Sequence, residues 1–213
     1  MENQDRIDRR KRKLQDKRHP VQQRSRQRRE EILLATAALL ERVGFDDLTT
    51  TLVAKEMGIS VGSLYHYFPH KQAILHAIGE HWLEEYSAAL ARIGAAKLED
   101  MELSQFAELA VAELLVVYRQ QRGMLPLVHA MYAVPELRDL DEHHDDLVIA
   151  EMAAQFARLG LNMSKTEGER VARLWLEMTH SMLLSVVDQQ GSRAGKSRAD
   201  LINVCRALLS TYI

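Results

Sequence analysis

Apolar residues recur at intervals of three and four along most of this chain, a spacing that predicts amphipathic helices packed around a core. The pattern predicts a first helix over residues 21–43 and a long helix over residues 71–93. It then predicts helices around residues 106–118, 124–132, 135–160 and 165–190, and a final helix after the loop GSRAGKS. Because no stretch alternates apolar and polar residues as strands do, we expect an all-α fold.

The segment between the first helix and the long helix, TTTLVAKEMGISVGSLYHYFPHK over residues 49–71, is the most informative part of the sequence. Thr49 can cap a short helix, and Gly58 suits a left-handed turn at its end. Ser60 can cap a second short helix, which Pro69 ends because it lacks an N–H. This layout is typical of a helix-turn-helix, although the spacing alone also permits an ordinary helical hairpin with a core of aromatic residues.

The second short helix has one buried face and one polar face. Leu64 and Phe68 lie four residues apart and are expected to face inward. Exposed Ser, Tyr and His side chains can donate to phosphates, and Val61 can contact a thymine methyl group. The outward residues are Val61, Gly62, Ser63, Tyr65, His66 and Tyr67.

Two motifs raise the question of catalysis or metal binding. Gly58-Ile59-Ser60-Val61-Gly62 matches the G-x-S-x-G nucleophile elbow, but that elbow requires a preceding strand and here follows a helical segment. The acidic and histidine run at residues 141–146 is better explained as a solvated helix face, because adjacent histidines on a helix point about 100° apart. We therefore expect no enzyme, no catalytic residue, no metal and no cofactor.

Charge is distributed unevenly along the chain. Residues 1–30 contain 12 Lys or Arg against 5 Asp or Glu, a net of +7, and the remaining residues carry a net of −9. We expect residues 1–22 to form a basic arm that is disordered without DNA. Arg24 and Arg28 follow at the start of the first helix, where they can contact phosphates; a merely solvated tail is the alternative.

The single cysteine, Cys205, excludes an intramolecular disulfide and suits a reducing compartment. The chain begins without an apolar signal core, and no apolar run is long enough to span a membrane. These features predict a cytoplasmic protein that is not bound to a membrane.

Residues 48–75, LTTTLVAKEMGISVGSLYHYFPHKQAIL, strongly resemble the DNA-binding domain of TetR/AcrR-type transcriptional regulators. The flanking IL-x-A-x-x-LL helix, Gly44-Phe45 and the helix opening at Lys71 agree with that family. The resemblance implies an all-helical homodimer with an N-terminal three-helix domain over residues 23–88 and a C-terminal helical domain for ligand binding and dimerisation over residues 89–213. The residues expected to contact DNA are Arg24, Arg28, Thr49, Thr50, Thr51, Ser60, Val61, Gly62, Ser63, Tyr65, His66, Tyr67 and Lys71, with Tyr65 and Lys71 mainly facing phosphates.

The helices of the C-terminal half are apolar on more than one side, so they must bury more than one face. A second copy of the chain can cover the last two helices, although a wholly intramolecular core is the alternative. Side chains of this region can also line an apolar effector pocket. The candidate ligand-binding residues are Phe106, Tyr118, His129, His143, Trp175, Glu177, Met178 and His180.

The expected function is that of a dimeric transcriptional regulator, more specifically a repressor. It would bind double-stranded DNA at a near-palindromic operator and leave that operator when a small apolar or amphipathic effector binds. The alternative is an architectural, chromosome-organising DNA-binding protein of the same fold that does not respond to a small molecule.

Overall fold

The computed structural model describes residues 2–120 and 123–213; side chains are described from residue 23 onward, except at 124, 125, 129, 132, 133 and 136. Within these ranges the chain forms nine α-helices and one 3₁₀ turn, with no strand, as predicted. The helices are α1 (Glu2–Asp47), α2 (Thr50–Glu56), α3 (Val61–Tyr67), α4 (Lys71–Gly94), α5 (Leu103–Gln120), α6 (Met124–Ala133), α7 (Pro135–Arg158), α8 (Lys165–Val187) and α9 (Gly191–Ser210), with the 3₁₀ turn at Leu98–Asp100.

Helix α1 carries the predicted apolar stripe into the core. Ile32, Leu39 and Leu40 are buried, and the regular helix breaks at Gly44, whose φ is 78°. The predicted end at residue 43 is therefore confirmed, whereas the helix begins well before the predicted residue 21. The basic arm predicted over residues 1–22 lies outside the part of the chain with described side chains, and its disorder stays a prediction.

Helix α4 has one face that is buried from Ile74 to Ile93. Its predicted apolar residues are all buried, and Ala89, Leu90 and Ile93 extend the buried face to the last turn. Near its N-terminus α4 packs on α1, and along the rest it packs on α5 and α7. One helix thus belongs to the core of the N-terminal helices and to that of the C-terminal helices.

Three side chains of α7 fasten it to the backbone of α4. Each donates to a carbonyl oxygen of α4, so the two helices are joined by polar contacts as well as by packing. The contacts run from His144 Nε2 to Leu83 O (3.1 Å), from Gln155 Nε2 to Leu90 O (3.0 Å) and from Arg158 to Gly94 O.

Aromatic rings form the centre of the C-terminal helices. Phe106, Phe156 and Trp175 are buried, and their ring centroids lie 5.6 to 6.1 Å apart. The rings meet at tilted or edge-to-face angles, which aromatic pairs favour. This cluster joins α5, α7 and α8.

Two sequence predictions about the C-terminal half were wrong. The segment GSRAGKS is not a loop, because α9 already begins at Gly191 and α8 ends at Val187. Only three residues separate these helices, and Ser197 in the second turn of α9 donates to Gln189 Oε1 (2.7 Å), which holds the start of the helix in place. The run at residues 141–146 is not wholly solvated either, since His144 is buried against α4.

None of the helices in the described ranges is both long enough and apolar enough to cross a membrane.

Gly123 lies where α6 approaches α1. Its φ of 69° is left-handed, and a Cβ added there would lie 2.7 Å from the backbone oxygen of Ala37. Both the backbone conformation and the close approach therefore require glycine at the start of α6.

We expect Gly123→Ala to lower the free energy of unfolding by about 2 kcal/mol or more, because left-handed strain and a backbone clash add. Gly160 has a similar φ of 77° but open space around it, so Gly160→Ala should cost only about 1 kcal/mol. Urea unfolding of both variants checks this, and equal losses would contradict the proposed clash.

Candidate DNA-binding site and ligand cavity

Helix α2 is capped and stopped as its sequence predicts. Thr49 is extended, and its Oγ1 accepts a hydrogen bond from the Leu52 N–H at 3.1 Å. Val53 and Ala54 are buried, and Gly58 turns the chain with a φ of 63°. These features confirm the first half of the predicted helix-turn-helix.

Helix α3 is held at both ends. Ser60 Oγ accepts from the Ser63 N–H at 3.0 Å and lies 2.8 Å from Ser63 Oγ, so the predicted cap is confirmed. Leu64 and Phe68 are buried, as their spacing predicts. Because a helix precedes Ser60 and its hydroxyl is engaged in this cap, the match to a nucleophile elbow is a coincidence.

The opposite face of α3 is open to solvent. Gly62, Ser63, Tyr65 and His66 are exposed, and Tyr65 is 49% exposed although it is a large aromatic residue. Its hydroxyl lies 3.2 Å from Thr50 Oγ1, which joins the recognition helix to the first turn of α2. This polar surface, held on a buried core, can enter a DNA groove without rearrangement of the backbone.

Lys71 is placed differently from the other predicted DNA contacts. Its Nζ donates to Phe45 O at 3.0 Å and lies 4.1 Å from the Phe45 ring centroid. The ammonium therefore ties the start of α4 to the end of α1.

The remaining residues predicted to contact DNA are exposed or half-buried. Arg24 and Thr51 are exposed, and Arg28 forms an exposed ion pair with Glu31 at 2.9 Å. Arg29 also lies near the predicted start of the first helix, where the sequence places arginines that can contact phosphates. Its guanidinium lies 5.0 Å from the Phe68 ring centroid and joins α1 to the end of α3, a contact that was not predicted. The sequence around Arg29 does not indicate this contact, because its partner lies on a different helix and only the tertiary fold brings the two residues together.

The residues predicted to bind a ligand are not all brought together. Phe106 and Trp175 belong to the closed aromatic core, Tyr118 bonds to His180, and Met178 is half-buried against the core. His143 is exposed, and the side chain of His129 lies outside the described ones. Glu177 and His180 line a cavity.

This cavity lies between α4, α7 and α8, with one residue from α6. Its volume is about 30 Å³, room for roughly one water molecule. The other lining residues were not predicted to bind a ligand, because their spacing in the sequence indicated buried core positions or a solvated helix face. The full lining is Trp82, Leu83, Tyr86, Val128, Asp141, His144, Asp145, Leu176, Glu177 and His180.

Burial alters the acid–base behaviour of the cavity residues. It raises the pKa of Asp145 to about 7 and raises the pKa of Asp141, with neighbouring carboxylates adding to both effects. Burial also lowers the pKa of His144 and of His180, so both imidazoles are neutral near pH 7. The cavity thus combines neutral imidazoles with carboxyl groups whose ionisation is disfavoured.

In the described part of the chain, no three His, Cys, Asp or Glu side chains are placed to hold a metal ion.

The fold and the exposed recognition helix define a helical DNA-binding regulator, and comparison with known protein families agrees. Residues 32–78 match the family "Bacterial regulatory proteins, tetR family", and residues 102–212 match "Tetracyclin repressor-like, C-terminal domain". The second match alone covers half of the chain. The chain belongs to the TetR family.

Curated relatives with similar sequences are regulators or DNA-associated proteins by name. The HTH-type transcriptional regulator BetI of Stenotrophomonas maltophilia is 29% identical over 134 residues, 62% of this chain and 68% of that protein. The nucleoid occlusion factor SlmA of Vibrio atlanticus is 34% identical over 116 residues, 53% of this chain and 58% of that protein.

Solved structures share the fold at low sequence identity. A putative TetR-family regulator from Rhodococcus sp. matches with a TM-score of 0.67 and 18% identity, covering 86% of this chain and 99% of that one. GusR of Salmonella enterica matches with a TM-score of 0.63 and 24% identity, covering 86% and 94%. These structures confirm the fold, and the family matches and curated relatives confirm the prediction of a DNA-binding transcriptional regulator.

We expect Ser60→Ala to lower the free energy of unfolding by about 1 kcal/mol, because it removes the cap of α3. Ser63→Ala keeps the cap from Ser60 Oγ to the backbone and removes only the exposed contact between the two hydroxyl groups, so its effect should stay within about 0.5 kcal/mol. Urea unfolding followed by circular dichroism measures both. Equal effects would mean that Ser60 does not stabilise α3.

Proposed function

We propose that this chain is the subunit of a homodimeric repressor that binds a near-palindromic operator and is released from it by a small molecule. The observation that carries the proposal is helix α4. Its first residue is fastened to the end of α1, and about three turns later its side chains line the cavity. A movement of α4 at the cavity would therefore also move the start of α4, which contacts the DNA-binding helices.

The DNA-reading part of the proposal assigns α3 to the major groove. Ser63, Tyr65 and His66 present hydroxyl and imidazole groups from one exposed face. His66 and Tyr67 pack edge to face, with ring centroids 5.4 Å apart, which limits the rotamers of both rings. Preset side chains lose less conformational entropy on binding, which favours affinity.

The dimer part of the proposal assigns the interface to α8 and α9. Leu174 on α8 is 45% exposed and Val204 on α9 is 40% exposed, and the half-buried Met178, Ile202 and Leu208 flank them. An apolar surface shared by two adjacent helices is costly to leave in water, and a two-fold copy can cover it. The same symmetry would double the base contacts made by one short recognition helix.

Release follows if the effector favours a conformation in which α4 has moved. His144, Gln155 and Arg158 bind α4 to α7, so a shift of α7 at the cavity is transmitted to α4. Lys71 and Phe45 then carry the shift to α1 and the recognition helix. The effector weakens operator binding only to the extent that it prefers this second conformation.

We expect Tyr65→Ala and His66→Ala each to weaken binding to the operator by at least about fivefold, because each removes a contact from the reading face. His81→Ala makes the same histidine substitution on an exposed position of α4 and should bind like the wild type. Fluorescence anisotropy on the DNA upstream of the protein's own gene, against scrambled DNA, measures these affinities across a salt series.

Specific binding that persists at physiological salt, with two subunits per site, is the result expected for a regulator. Equal affinity for both DNAs that collapses steeply with salt would contradict operator recognition, because only phosphate contacts would then act.

We expect Leu174→Glu to convert the dimer to a monomer, since it places a charge in the apolar face of α8. Leu34→Glu introduces the same charge on an exposed position of α1 and should leave the dimer intact. Sedimentation equilibrium distinguishes the two states, and a dimeric Leu174→Glu protein would place the interface elsewhere.

The second candidate function is an architectural DNA-binding protein, which the name of the relative SlmA brings into consideration. The cavity beside α4, with its titratable lining residues Asp141, His144 and Asp145, favours the ligand-responsive regulator. Mapping of bound sites across the genome distinguishes them. A few sites beside promoters support the regulator, and many dispersed sites support the architectural protein.

A further inference from the structure

Three carboxyl groups line the cavity, and none of them has a cationic partner among the described side chains. They belong to Asp141, Asp145 and Glu177, and no Lys or Arg in the described ranges lies within 4 Å of any of them. Arg173 on α8 acts on the charge of Asp145, but its guanidinium pairs with the exposed Asp146 at 3.5 Å. Asp141 and Asp145 are half-buried, whereas Glu177 is exposed. An unpaired carboxylate that is partly withdrawn from water is costly, so the two aspartates favour a positive charge supplied from outside.

An independent observation concerns Trp82. This residue is 4% exposed and lines the cavity, and its indole N–H has no hydrogen-bond acceptor in the described part of the protein. A buried N–H without an acceptor is uncommon and points to a missing partner such as a ligand oxygen. Trp82, a lining residue of the same cavity as the carboxyl groups, thus carries a donor that has no acceptor among the described residues.

Aromatic rings surround this position. The Trp82 ring lies 6.3 Å from Tyr86 and 6.2 Å from Tyr118, centroid to centroid, and Tyr86 lies 6.4 Å from Tyr118. The faces of Trp and Tyr rings attract cations, most strongly when water is excluded. The rest of the lining includes the aliphatic side chains of Leu83, Val128 and Leu176.

This chemistry suits an organic cation better than a metal ion. Ca²⁺ and Mg²⁺ require several oxygen ligands around one point, and no such group exists in the described residues. Aromatic and aliphatic walls instead match the methyl or methylene groups of an alkylated ammonium ion, while the carboxylates at the α7–α8 side balance its charge.

We propose that the effector of this regulator is a small organic cation, an alkylated ammonium compound with a hydrogen-bond acceptor, held between Trp82, Tyr86, Asp145 and Glu177. The proposal rests on the ligand-responsive function proposed above and adds the chemical class of the effector. The cavity of about 30 Å³ is smaller than such a cation, so binding must separate α4 from α7 and α8. That separation is the movement that releases the operator.

Asp145 provides a readout that a purely structural residue would not give. Its pKa in the folded protein, about 7, lies above the ordinary value of 3.8, so the folded state holds a proton that the unfolded state releases. Stability is therefore lost as the pH rises towards and through 7. The groups that act on its charge are Asp141 and Asp146 on α7, Glu177 and Arg173 on α8, and Tyr86 on α4.

Asp145→Asn should accordingly raise the melting temperature at pH 8, with a gain that shrinks towards pH 5, and should at the same time weaken cation binding. Such a pairing of higher stability with lost binding is characteristic of a ligand site. Asp139→Asn makes the same substitution at an exposed residue of α7 that is not among the groups acting on Asp145, so it is the matched control and should change neither property.

The test is isothermal titration calorimetry of the full-length protein with phenacyltrimethylammonium, whose ketone oxygen can accept a hydrogen bond. The neutral compound of the same shape is 3,3-dimethyl-1-phenylbutan-1-one. We expect the cation to bind the wild type and the neutral compound to fail. Asp145→Asn and Glu177→Gln should each weaken cation binding by about tenfold, because each removes one nearby charge. Equal binding of both compounds, no binding of the cation, or an unaltered affinity in Asp145→Asn would overturn the proposal.

Anisotropy on the operator separates this proposal from the proposed function. If phenacyltrimethylammonium binds through Asp145 and the operator affinity does not change, the cation site stands and release by an effector is wrong. If the cation does not bind while an uncharged compound releases the operator, the repressor function stands and the cation site is wrong.

Discussion

The arrangement of this protein depends on one constraint, which is that helix α4 is packed into two cores at once. Its first residue, Lys71, donates to Phe45 O and lies against the Phe45 ring, and its later turns are buried among the C-terminal helices. Packed interiors resist compression and transmit displacement instead of absorbing it. The DNA-binding helices and the cavity are therefore mechanically connected even though their residues lie far apart in sequence.

The polar groups of the proposed DNA-binding face are satisfied within the protein, whereas some of those around the cavity are not. Around α3, polar groups are satisfied locally by Ser60, Thr49 and the contact between Thr50 and Tyr65, so the reading face is preset. Around the cavity, the Trp82 N–H lacks an acceptor in the described part of the chain and Asp145 has a raised pKa. Unsatisfied groups reduce stability and mark places where a protein is adapted to another molecule.

Much of the fold could be predicted from the spacing of apolar residues and from the residues that cap and end helices. The spacing of Leu64 and Phe68, the caps at Thr49 and Ser60 and the turn at Gly58 were predicted correctly, because caps and turns depend on residues within four positions of one another. The predicted loop GSRAGKS was wrong because its neighbour α8 and the bond from Ser197 to Gln189 decide its conformation. Composition alone favoured a loop there.

The sequence by itself determined the helices, the buried faces and the helix-turn-helix, since each of these depends on local spacing. The tertiary structure alone decided which helices meet. It turned Lys71 towards Phe45, placed Arg29 over the Phe68 ring, and buried His144 within a run of charged residues that looked solvated. Contacts of this kind join residues more than twenty positions apart, and neither residue type nor periodicity specifies which distant partner a side chain will meet.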